Sequence, residues 1–234
     1  MGLAFFEASN LIMTRILALE TSALDCSVAL SDAGRQVQDP RHIPQAHTRH
    51  LLGMVDGVLD SMQIAKTDLD AIAFGQGPGS FTGLRICASF AQGLAFGLDI
   101  PLIPMSSLWV LAQTAVDKGL ATSGDTLCCL FDARMDEVYF CEYKIDENGL
   151  AQPTVEEQLC APESVNTQAT IAVGRGLVYE QRLAAFKQFT LHEIDLMPEA
   201  NSMLGSAAKR LGEGEVVAVE LGQPVYLRGK SAWQ

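Results

Sequence analysis

The chain predicts an α/β fold of two related lobes, each a mixed sheet flanked by helices. Three observations lead there. The first half alternates short β-rich runs with longer apolar helical stretches, the pattern of a mostly parallel sheet with helices packed on it. After a polar link at Asp117 to Asp125, the runs Thr126 to Phe131 and Glu137 to Lys144 repeat the strand–turn–strand order of the N-terminus, which suggests a duplicated lobe. Between them lies Gly75-Gln76-Gly77-Pro78-Gly79-Ser80-Phe81-Thr82-Gly83-Leu84-Arg85, a glycine loop that joins an apolar strand to an apolar helix. The expected organisation is an extension over residues 1–12 ahead of Met13, a first lobe over 13–117 and a second over 118–234, with the C-terminal tail returning to the first lobe.

The elements follow in order. Arg15 to Glu20 and Cys26 to Ser31 form a hairpin about the polar turn Thr21–Asp25, and a weaker strand follows Gly34. Pro40 and Pro44 mark a loop. His47 to Ala65 is helical by periodicity, with Leu51, Leu52, Met54, Val55, Val58, Leu59 and Met62 spread over ~160°, wider than the ~100° one buried face requires. Asp70 to Gly75 and Ile100 to Met105 are strands, and Leu84 to Leu98 and Ser106 to Val116 are helices. In the second half Pro153 to Leu159 and Thr170 to Val173 read as strands, Glu199 to Leu211 as a helix, and Gln223 to Arg228 as an extended tail.

Bulk composition excludes several roles. With 16 Lys and Arg against 28 Asp and Glu, the net charge of −12 and the lack of any basic run argue against direct nucleic-acid binding, so tRNA would be met only indirectly. No run is long and apolar enough to cross a membrane, and the first residues lack a basic signal region, which points to a cytoplasmic protein. Cys26, Cys87, Cys128, Cys129, Cys141 and Cys160 form no C-x-x-C pair and read as reduced, buried thiols. His47 and His50, three apart without a third ligand, read as polar surface, so no metal site is expected.

The glycine loop fails both common phosphate motifs. Leu84-Arg85 stand where a P-loop needs Lys and Ser or Thr, and Ser80 replaces the third glycine of a dinucleotide fingerprint. Gly77, Pro78, Gly79, Ser80 and Gly83 are therefore read as a structural loop. The helix that follows carries Leu84, Cys87, Ala91, Leu94 and Leu98 on one side. The other side, with Arg85, Ser89, Gln92, Gly93 and Phe96, shows almost no charge where a surface helix normally has a charged face. Together with Leu51, Val55 and Leu59 of the preceding helix, these residues are the expected docking face for another subunit.

Four landmarks in one order resemble the TsaB (YeaZ) family: Ile16-Leu17-Ala18-Leu19-Glu20-Thr21-Ser22, the loop Gly77 to Arg85, Phe131-Asp132-Ala133-Arg134-Met135-Asp136-Glu137-Val138-Tyr139, and Pro224-Val225-Tyr226-Leu227-Arg228. The resemblance implies an actin/hexokinase/Hsp70-like (ASKHA) fold. It implies a non-catalytic activating role in making N6-threonylcarbamoyladenosine at position 37 of tRNA. In that role the chain pairs with a TsaD-type catalytic paralogue, assembles with a TsaE-type ATPase, and forms a homodimer when alone. The paralogue's H-x-x-x-H metal pair falls here on Ser107 and Leu111, and leucine cannot ligate. Glu20, Thr21, Ser22, Asp132 and Arg134 remain as a vestigial nucleotide cleft in which weak nucleotide binding is conceivable, although Arg134 and Met135 put bulk where a phosphate needs bare backbone. The chain itself requires no cofactor. The alternative is a small ASKHA-fold ATPase or a sugar-kinase-like phosphotransferase.

Overall fold

Strands β1 (Arg15–Glu20) and β2 (Asp25–Asp32) pair antiparallel, with Arg15 opposite Asp32 and Glu20 opposite Ser27. The computed structural model describes residues 14–44 and 46–228, so the expected extension over 1–12 lies outside the described residues. β3 (Arg35–His42) adds to β2 and runs through Pro40, which the sequence had suggested as a loop. Proline is tolerated there because β3 is the edge of the sheet and its missing N–H breaks no ladder. β4 (Ala71–Gly77) and β5 (Leu102–Ser106) continue from β1 in parallel, giving the order β3-β2-β1-β4-β5.

The second sheet repeats the plan. β6 (Thr126–Arg134) and β7 (Glu137–Ile145) form its antiparallel hairpin. The short strands β8 (Ala151–Pro153) and β9 (Gln158–Cys160) both pair with β7. β10 (Ile171–Val173) and β11 (Leu191–Glu193) extend in parallel from β6. Read from its β8 edge, this sheet runs β8-β7-β6-β10-β11, the counterpart of β3-β2-β1-β4-β5.

Helices α1 (His47–Met62) and α2 (Phe81–Leu98) cover one face of the first sheet, burying Leu51, Val55, Leu59, Cys87 and Ala91 on Leu17, Leu19, Val28, Ile72 and Phe74. α1 stops at Gln63, which adopts the left-handed conformation at φ 59°. The N-terminus of α2 is capped by Ser80, whose Oγ accepts from Gly83 N–H at 3.3 Å. The opposite face of the sheet is lined by Ile16, Ala18, Ala29, Ala73 and Ile103. It is covered by Val110 of α3 (Ser107–Asp117) and by Leu204 and Ala207 of α4 (Leu204–Gly212), a helix from the chain's second half. α3 turns its other side, Leu108, Leu111, Ala112 and Ala115, onto Leu127, Cys129, Phe131 and Tyr143 of the second sheet. The far face of that sheet, with Leu130, Val138 and Phe140, is packed by Val165, Leu177, Leu183 and Phe189 from loops and short 3-10 turns. For that reason the second half reads as poor in helices.

After α4 the chain returns to the first lobe. Leu102 and Val217 exchange backbone hydrogen bonds at 3.0 and 2.8 Å, Gln92 Nε2 donates to Val219 O at 3.0 Å, and Val225 N–H donates to Gln76 O at 2.8 Å. All six cysteines are unpaired, and all but the half-buried Cys160 are buried.

Candidate functional site

The glycine loop faces the β1–β2 turn at contact distance. Ser80 N–H donates to Ser22 O at 2.7 Å and Thr21 Oγ1 donates to Gly83 O at 2.8 Å. A Cβ on Gly83 would stand 2.0 Å from Thr21 O, one on Gly79 2.6 Å from Ser22 O, and one on Gly77 2.9 Å from Val225 O. The glycines are thus required by backbone–backbone approach. The N–H of Ser80, which a phosphate would need, is already spent on Ser22.

The β6–β7 turn is shaped by three successive left-handed residues, Arg134 (φ 62°), Met135 (φ 56°) and Asp136 (φ 62°). Each costs on the order of 1–2 kcal/mol for a non-glycine residue. Side chains hold the turn in this form. Asp132 accepts from Arg134 N–H at 2.8 Å and from Tyr179 OH at 3.1 Å, and pairs with the Arg134 guanidinium at 3.1 Å. Arg228, at the end of the tail, donates to Ala133 O at 3.1 Å and pairs with Glu137 at 2.5 Å. Two residues earlier Tyr226 accepts from Arg85 Nε at 3.1 Å, and the Arg85 guanidinium lies 3.9 Å above the Phe81 ring. Residues 223–228 therefore strap the first lobe to the second.

Two carboxyl groups flank the start of α3. Glu20, at the end of β1, is buried; its Oε1 accepts from Ser22 N–H at 2.6 Å and its Oε2 from Ser107 Oγ at 3.0 Å. Burial raises its carboxyl above the ordinary value, against the opposing effect of those hydrogen bonds. Glu157, between β8 and β9, accepts from the Oγ of Ser106, which also caps α3 through Trp109 N–H at 3.1 Å. Its carboxyl too is raised, again chiefly by burial.

The residues singled out from sequence fall into distinct places. Glu20, Thr21 and Ser22 are packed in the first turn, and Asp132 and Arg134 are tied up within the second. Leu51, Val55 and Leu59 are 1%, 0% and 3% exposed: they belong to the core of the first lobe, not to a docking face, because the wide apolar arc of α1 wraps into the sheet. Arg85 and Gln92 engage the tail. Ser89, Gly93 and Phe96 are open, Phe96 at 75% exposure, and Leu52 of α1 joins them at 53%. A Cβ on Gly53, Gly57, Gly93 or Gly97 would touch nothing, so the outward side of the α1–α2 pair is smooth. Of the two positions aligned with metal ligands, Ser107 binds Glu20 and Leu111 lies in the interlobe core. Among the described residues no three His, Cys, Asp or Glu side chains gather as a metal site. His47 is buried rather than surface-exposed, with burial lowering its imidazole pKa. Sequence reasoning gave Glu157, Ser106 and Arg228 no role in the site, although Pro224 to Arg228 stood out as a motif and Ser106 as the start of a helix.

Two sheets of one strand order, sharing helix α3 between them, define a two-lobed protein of the actin/hexokinase/Hsp70 class. Residues 37–224 match the family model "TsaD: tRNA N6-adenosine threonylcarbamoyltransferase". The chain is 39% identical over 227 residues to the tRNA threonylcarbamoyladenosine biosynthesis protein TsaB of Escherichia coli K12, spanning 94% of this chain and 97% of the relative. It is 36% identical to the protein of the same description from Haemophilus influenzae, spanning 94% and 95%. Among solved structures, YeaZ from Pseudomonas aeruginosa matches with a TM-score of 0.85 at 37% identity, covering 92% of this chain and 100% of that one. The chain belongs to the TsaB (YeaZ) family of tRNA threonylcarbamoyladenosine biosynthesis proteins. No helix among the described residues is long and apolar enough to cross a membrane.

Proposed function

We propose that this chain is a non-catalytic activating subunit of tRNA threonylcarbamoyladenosine synthesis, that it docks a TsaD-type paralogue through the outward side of α1 and α2, and that a TsaE-type ATPase joins the assembly. The observation that carries this reading is the contact of the glycine loop with the β1–β2 turn, where Ser22 O and Thr21 O occupy the space a phosphate would need. Leu111 at the second aligned ligand position supports it. Exposed Phe96 and Leu52 amid Gly53, Gly57, Gly93 and Gly97 offer a surface that another helix pair can approach closely. In the absence of the paralogue the same surface pairs with a second copy, giving a homodimer. No cofactor is needed by the chain, and tRNA is reached through the partners.

The test is reconstitution of the modification with purified paralogue, ATPase and adenylate-forming enzyme, with and without this chain. Gly93→Leu and Phe96→Asp, placed where they disturb no internal contact, are expected to lower paralogue capture and modification at least tenfold while the folded state is retained, with Gly93→Leu unfolding at no lower temperature than the unaltered chain. Full modification without the chain, or undiminished capture by both variants, refutes the reading. Steady ATP turnover by the chain alone would instead favour a phosphotransferase.

A further inference from the structure

Arg85, Ser89, Gly93 and Phe96 follow one another at intervals of three or four residues, so they form a single exposed line along α2. Arg85 closes this line at its N-terminal end. Its guanidinium is held in place but not neutralised. Nε donates to Tyr226 OH at 3.1 Å, and Cζ lies 3.9 Å from the centre of the Phe81 ring and 6.0 Å from that of Tyr226. Among the described residues it forms no ion pair, whereas Arg15, Arg134, Arg182 and Arg228 each have a carboxylate. A solvated surface arginine needs no such partner. What sets Arg85 apart is that a hydroxyl and a ring already fix its fork, so an incoming carboxylate meets an ordered guanidinium and little side-chain freedom is lost.

The residues that hold Arg85 also tie the lobes together. From Val219 onward the chain lies along the flank of α2. Gln92 Nε2 donates to Val219 O at 3.0 Å, Val225 N–H donates to Gln76 O at 2.8 Å, and the Tyr226 and Phe81 rings are 5.4 Å apart. Two residues further on, Arg228 donates to Ala133 O at 3.1 Å and pairs with Glu137 at 2.5 Å, both at the β6–β7 turn of the second lobe. Leu221 is 68% exposed and Tyr226 43%. The tail is therefore the open margin of the outward side of α2, not a buried support beneath it.

We propose that Arg85 is the polar anchor of the docking side: its Nη edge takes a carboxylate side chain of the docked paralogue while Nε stays on Tyr226, so that docking fastens the strap between the lobes. This rests on the docking reading above, and adds to it the chemistry of the partner's contact and a consequence for the second lobe. The two contacts do not compete, because a carboxylate on the Nη edge and a hydroxyl on Nε use different donors of one fork. Covered by a partner, the Arg85–Tyr226 bond is shielded from water and strengthened. With Tyr226 held, Arg228 stays on the β6–β7 turn.

The full chain is bound to the purified TsaD-type paralogue, and affinity is measured beside amide exchange. Arg85→Met is expected to weaken binding at least ~tenfold, the scale of a lost hydrogen bond to a charged group. Arg85→Lys, which keeps the charge without the fork, should recover only part of that loss. Raised salt should weaken binding less in Arg85→Met than in the unaltered chain. In the complex the Val225 amide should exchange more slowly than in the free chain. Tyr226→Phe, which keeps the ring and lacks the hydroxyl, should still bind but lose that slowing. Failure of the unaltered chain to bind the paralogue overturns the docking reading and this inference with it. Binding indifferent to Arg85→Met, binding that leaves Val225 exchange as it was, or equal slowing in Tyr226→Phe overturns this inference alone.

Discussion

Gly83 and Gly93 lie on the same helix and answer to opposite demands. The first is pressed against Thr21 O; the second faces open solvent. Gly83→Ala forces apart two backbones joined by the Thr21–Gly83 and Ser80–Ser22 hydrogen bonds, and we expect a loss of about 3 kcal/mol in urea unfolding, at the upper end of overpacking costs. Gly93→Ala should raise stability by about 0.5–1 kcal/mol, the helix-interior difference between the two residues. Glu20 makes a pH-dependent prediction. Its carboxyl titrates higher folded than unfolded, so between the two values the native state holds more protons, and stability falls as pH rises through that window. Glu20→Gln should flatten this decline and be the more stable protein at the alkaline end of the window, as followed by denaturant midpoints across pH. The residue scale was partly legible in the sequence: four glycines and a proline announced close approach, but what approaches, the Thr21–Ser22 backbone, is distant in sequence and left no local trace.

Among the elements, the tail strap ties parts that no periodicity links. Arg228 is largely buried between Ala133 O and Glu137, and Tyr226 stacks near Phe81 and Arg85. Arg228→Ala leaves the Glu137 carboxylate without its cation and should cost roughly 1–3 kcal/mol. It should also speed amide exchange at Val225, whose N–H is held by Gln76 O, more than at Ile72 or Leu17 in the sheet. The regular strands of both hairpins and the helices of the first lobe were legible because each shows one period and one boundary signal. β3 was weak because an edge strand with little burial carries no alternation. β11 was missed because three residues cannot display a period, and α1 misled because an arc of ~160° reads equally as core or as a second interface.

On the scale of the whole molecule, the two sheets are alike but the packing does not respect the boundary between them. α3 serves both cores, and α4 from the second half lies on Ile16, Ala18, Ala73 and Ile103 of the first. We expect residues 14–117 expressed alone to be insoluble or to bind a hydrophobic dye strongly, and to regain a native signal when residues 118–228 are supplied in trans. A soluble, cooperatively unfolding first half would contradict this. The duplicated strand order could be guessed from the repeated hairpin, whereas the exchange of helices between lobes could not, since the contacts join residues far apart in the chain. The docking face lay between these cases: the uncharged side of α2 was visible, but which of its residues are free and which hold the tail depends on where the chain ends up.

The placement of α4 also sets a timetable. During synthesis the inner side of the first sheet is covered only in part, by α3, until residues 204–212 have left the ribosome. The nascent chain must carry an apolar patch for the roughly hundred residues between β5 and α4, and it is in that interval that chaperone capture or misassembly would act on it.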